Sequence, residues 1–125
     1  MNRSEARTTA IDLRNTLDAA NDAVSARHLP EGLANILLDI KSFATEAGEL
    51  DVNRPDSDTA YFQADMARIW SLADTALRDT RIVGSTTTHE RDDSQQADNN
   101  RDRRKNVAWA TTWIIHTLTE CIKAD

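Results

Sequence analysis

Apolar residues recur along the chain at alternating spacings of three and four, in four separate blocks. In the first block Ala6, Ala10, Leu13, Leu17, Ala20 and Val24 form a narrow stripe on one helical face. This predicts a helix over about residues 4–27, capped by Ser4 and with Glu5 in its first turn. Because the stripe is rich in alanine, it buries little area per residue. This helix should be the weakest-held of the four.

In the second block Leu33, Ile36, Leu37, Ile40, Phe43, Ala44 and Ala47 share a broader face, and Leu38 points away from it. The helix predicted here covers about 30–47. Pro30 suits its first position and Gly48 its C-terminal end. A polar connection over 49–55 follows. The third helix is expected over about 57–83, with Asp56 or Ser57 as cap and Asp58 in the first turn. Its core face is Phe62, Met66, Ile69, Ala73, Ala76 and Leu77. Trp70 lies at one edge of that face, and Tyr61 with Leu72 at the other. Arg78 and Arg81 fall in the last turns, where cations suit the helix dipole, and Gly84 ends the helix.

Residues 85–100 hold only one apolar side chain, Ala97. A stretch without apolar anchors does not offset its ordering entropy by burial, so 85–93 is expected to be a flexible loop. The last helix is predicted over about 94–123. Starting it near Ser94 places Asp92 and Asp93 at its N-terminus. It also keeps Arg101, Arg103, Arg104 and Lys105 out of the first turn, where they would oppose the dipole. Val107, Ala110, Ile114, Leu118, Cys121 and Ile122 form its core face. The pattern thus predicts an all-α four-helix bundle, up-down-up-down, in a single domain with a long mobile loop before the last helix. A chain of 125 residues can hold such a core without metal or disulfide, and only three Gly and two Pro leave few turns for an all-β alternative.

Composition narrows the function classes. The net charge of −6 argues against general nucleic-acid binding, which needs a positive field. Cys121 is the single cysteine, so no intramolecular disulfide forms, which fits a reducing compartment. No apolar run approaches the roughly 20 residues that span a bilayer, and the first residues lack an apolar signal segment. The expectation is a cytoplasmic protein with no membrane association.

Catalytic constellations do not emerge. His116 and Glu120 share a helix face, but Cys121 points elsewhere, and zinc needs three or four convergent ligands. The pairs Asp18 with Asp22 and Asp92 with Asp93 fall on solvated positions rather than in a cleft. No nucleophile elbow, phosphate loop or dinucleotide fingerprint occurs. No enzyme, cofactor or metal site is expected.

Two surface features remain. Arg101, Arg104 and Lys105, three and four apart, share one side of the last helix and make the only concentrated basic patch. Trp109, Trp113 and His116 form a second stripe, nearly opposite to the core face of the same helix. Either the indoles fold over the alanines of the first helix, or they meet something outside. Tryptophan is enriched at interface hot spots. The expected function is a non-enzymatic interaction protein, a small regulator, inhibitor or adaptor that binds a macromolecular partner or self-associates. Its contact residues would be Trp109, Trp113, His116, Arg101, Arg104 and Lys105. A nucleic-acid-associated regulator using the Arg101–Lys105 turn is the alternative, and a small enzyme or metal-binding bundle the second alternative.

Overall fold

The computed structural model of the chain describes residues 1–50 and 57–124, and of residues 57–61 and 124 it describes the backbone only. Four helices carry the fold: α1 (Arg3–Asn21), α2 (Leu33–Gly48), α3 (Ser57–Thr86) and α4 (Ser94–Ala124). No strand is present among the described residues, and the architecture is all-α. α1 packs on α2 and α4, and α3 packs on the same two, so the helices close a ring around one core.

The direction of two neighbours is fixed by their contacts. Lys41 Nζ meets Asp74 at 3.0 Å while Gln63 Nε2 donates to the Leu50 carbonyl, so α2 and α3 run antiparallel. Thr86 with Asn100 at one end and Cys121 with Asp65 at the other set α3 and α4 antiparallel. Between the helices Leu17, Leu33, Leu37, Ile40, Met66, Ile69, Val107, Ile114 and Leu118 are wholly out of solvent. Each belongs to a stripe read from the sequence, and Leu38 is exposed. None of the helices among the described residues is long and apolar enough to cross a membrane.

Several helix ends differ from expectation, each for a local reason. α1 is capped by Asn2, not Ser4: the Asn2 side chain accepts from the Glu5 amide at 2.8 Å and donates to the Glu5 carboxylate. α1 ends at Asn21 rather than near residue 27. Ser25 and His28 exchange backbone hydrogen bonds there, and the Arg27 amide donates to the Ser25 hydroxyl, which turns the chain back. α2 begins at Leu33, not at Pro30, because Gly32 takes a left-handed backbone at φ 85° and sets the helix entry.

α3 runs through Gly84 to Thr86. Hydroxyls of Ser85, Thr86 and Thr87 return to the carbonyls of Ile82 and Val83, which satisfies acceptors near the helix end without a glycine cap. Arg78 and Arg81 therefore lie inside the helix rather than in its last turns. The connection expected as a long flexible loop is confined to 87–93, opens with a 3-10 turn at Thr87–His89, and is tied down through Glu90. Its anchors are polar, which an inventory of apolar residues does not register. α4 starts at Ser94, where the Asp93 carboxylate accepts from the amides of Gln95 and Gln96. The cap expected at Asp56 or Ser57, the first-turn role of Asp58, the edge position of Tyr61 and most of the connection over 49–55 lie outside the described residues.

Two glycines give a paired test. A Cβ at Gly32 or at Gly84 would meet nothing within 4 Å, so only backbone preference decides the outcome. Gly32→Ala forces an L-residue into the left-handed region and should lower stability by about 1 kcal/mol. Gly84→Ala lies in an ordinary helix and should raise it by about 0.5–1 kcal/mol. Urea denaturation of the two variants, with opposite shifts of midpoint, checks both helix assignments.

Candidate interaction surface on the last helix

α4 has two unlike sides. One side, Asn100, Arg104, Val107, Thr111, Ile114, Leu118 and Cys121, is buried at spacings of three and four. The other carries Asp102, Lys105, Trp109, Thr112, Trp113, His116, Glu120 and Lys123, and all of these are exposed. At about 100° per residue these two sets lie half a turn apart, so a helix that buries the first presents the second to solvent.

The aromatic rings of the outer side touch one another. Trp109 and Trp113 have ring centroids 6.2 Å apart and planes tilted by 58°. Trp113 meets His116 edge-on at 5.6 Å. Both geometries suit the aromatic quadrupole. Trp109 is nevertheless 61% exposed and Trp113 44%. The indoles do not fold over α1, whose Ala6 and Ala10 are buried in the core and line a small cavity together with Phe43, Phe62 and Ile122. They form a three-ring ladder on the outside of the bundle.

The basic turn is dispersed by the same helical geometry. Arg101, Arg104 and Lys105 do share a side, but that side runs from the core edge to open solvent. Arg104 lies about 60° from Val107 and therefore points inward. It is 5% exposed, and its guanidinium holds the Glu90 carboxylate at 2.5 Å. As a contact residue for a partner it is committed elsewhere. Arg101 is exposed and pairs with Asp98 at 3.2 Å, one turn back. Lys105 is exposed and precedes Trp109 by one turn, so it borders the aromatic ladder.

What holds Arg104 also holds the α3–α4 connection. Asn100 is fully buried, donates to Glu90 at 2.7 Å, and accepts from Thr86 and Gln96 at 3.0 Å. The Asn100 amide, helped by the Arg104 guanidinium, keeps the Glu90 carboxyl below the usual glutamate range, although partial burial opposes this. On α3, burial pushes the Asp79 carboxyl up, against the pull of Arg103.

Polar contacts elsewhere between the helices leave no trace in the apolar pattern. Lys41 sits 4.8 Å over the Trp70 ring and also binds Asp74. Thr111 donates to Asn21 across α4 and α1 at 2.5 Å. Trp70 is 40% exposed, beside a shallow groove between α2 and α3, and one side of its ring is already occupied by the lysine. Among the described residues no group of three or more His, Cys, Asp or Glu side chains converges as metal ligands do. The Cys121 thiol donates to Asp65 at 3.5 Å.

The chain matches no protein-family model, no curated protein and no solved structure.

Proposed function

We propose that this is a non-enzymatic interaction protein, of the kind that serves as a small regulator, inhibitor or adaptor, and that it acts through the outer face of α4. The observation that carries the reading is the exposed, mutually packed ladder of Trp109, Trp113 and His116. Each indole offers roughly 150–250 Å² of surface, so covering the exposed parts of two recovers on the order of 5 kcal/mol before the costs of association. Lys105 supplies charge at the rim of that apolar centre, and Arg101, paired with Asp98, lies one turn further out. Arg104 is left out of the contact set because it binds Glu90. A nucleic-acid role for the Arg101–Lys105 turn has less support, since one of its cations is buried and another is paired with Asp98. A cytoplasmic location belongs to this proposal, and the presence of a single cysteine in the sequence, the buried Cys121, supports it.

The double change Trp109→Ala with Trp113→Ala tests the proposal. The melting temperature should stay within about 2 °C of the wild type, as for surface changes in general. Association, measured by light scattering and by capture of a partner from the native cell, should be lost. Unfolding of the double variant would make the ladder a packing element and remove the basis of the proposal.

A further inference from the structure

We infer that the outer face of α4 pairs with a second copy of itself, antiparallel, across a two-fold axis at the level of Thr112 and Trp113. This rests on the reading of that face as an interaction surface and names its partner. The starting point is the order of side chains along the outer side: Asp102, Lys105, Trp109, Thr112 with Trp113, His116, Glu120, Lys123. The order is symmetric about the 112–113 peptide. Asp102 and Lys123 lie equally far from that point, as do Lys105 and Glu120, and Trp109 and His116. In each charged pair the two members have opposite sign.

An antiparallel copy reads the same order backwards. Asp102 then meets the partner's Lys123, and Lys105 meets the partner's Glu120. Trp109 meets the partner's His116, and the two Trp113 rings approach each other at the axis. The two-fold repeats every contact, as an isologous interface must. A parallel copy in the same register would set Asp102, Lys105, Glu120 and Lys123 each against its own kind. The face therefore encodes a direction as well as a partner.

Charge also permits contact through this face. The chain carries a net charge of −6, so two copies repel on the whole. Between residues 102 and 123 of the outer side two acids balance two bases, and the exposed Asp98 and Arg101 just upstream pair with each other, so copies can meet there without that penalty. Glu120 and Lys123 are 3.8 Å apart within one chain, but both side chains are more than half exposed and available to a partner. The apolar centre is small, with charges toward both ends. A single helix face of about 30 Å falls short of the area that permanent dimers bury, so the association should be weak and concentration-dependent.

Sedimentation velocity over a concentration series tests this with the whole chain. The wild type should pass from monomer to dimer as concentration rises, more weakly at high salt. Lys105→Glu should raise the dimer Kd about tenfold, because it sets acid against acid at two symmetry-related levels. Lys105→Glu combined with Glu120→Lys should restore dimerisation, and so should mixing the two single variants. Both positions are exposed, and circular dichroism should show unchanged helix. A wild type that remains monomeric throughout, or a Lys105→Glu variant that dimerises as well as the wild type, would overturn antiparallel self-pairing. If such a monomer still captures another protein through Trp109 and Trp113, the broader reading of the face stands alone. If dimers form and persist in the Trp109→Ala, Trp113→Ala variant, both readings fail.

Discussion

Ile69→Ala should lower stability by about 2–5 kcal/mol, and Ile40→Ala should do the same. Both side chains are completely out of solvent at the centres of α3 and α2, within one continuous core. Truncation removes buried methyl groups and leaves a cavity that the surrounding helices fill only in part. The spread reflects how far they can relax. Leu38→Ala, on the exposed side of α2, should cost well under 1 kcal/mol. Urea midpoints at constant slope separate the three variants. Equal damage from Leu38→Ala and Ile40→Ala would mean that α2 faces the core with its other side.

Glu90→Ala should cost about 2–3 kcal/mol, less than the loss of a fully buried partner because part of the Glu90 side chain reaches solvent. The change leaves the Arg104 guanidinium, 5% exposed, without its carboxylate, and removes the acceptor of the buried Asn100 amide. The pH dependence has a definite sign. Folding holds the Glu90 carboxyl below its ordinary value of 4.5, so the folded state binds its proton less readily than the unfolded chain does. The contribution is complete above pH 4.5 and declines as pH falls from there through the folded value. Glu90→Gln should flatten that part of the stability profile while leaving a neutral side chain of the same shape in place. An acid profile identical to the wild type would show that Glu90 is not the group responsible.

The stripes at three-and-four spacing make the fold legible. Periodicity assigns Ile40, Ile69, Ile114 and Leu118 to the core, and all four are fully buried. Burial of apolar surface drives folding more than any other interaction, and it follows from residue type and position alone. Helix ends are less legible because hydrogen bonds of local geometry set them. Asn2 outcompetes Ser4 as a cap by bonding Glu5 in both directions. Gly32, not Pro30, governs the entry to α2 through its left-handed backbone.

The outer ladder of α4 is visible in the sequence as a surplus stripe, since no helix buries both of its sides in a bundle of this size. Spacing alone puts Arg104 beside Arg101 and Lys105, while its inward direction follows from the angle to Val107. Its partner Glu90 lies in a polar run with no period to read. The two meet only because the connection over 87–93 folds back against the start of α4.

The most direct measurement is quenching of tryptophan fluorescence by acrylamide in a Trp70→Phe background, followed from dilute to concentrated protein. Only Trp109 and Trp113 then report. In the dilute monomer both should emit at long wavelength and be open to the quencher, and as copies associate the emission should shift to the blue and quenching should fall. Blue-shifted emission already protected from acrylamide in the dilute monomer would place the ladder in the core and contradict its role as a contact surface.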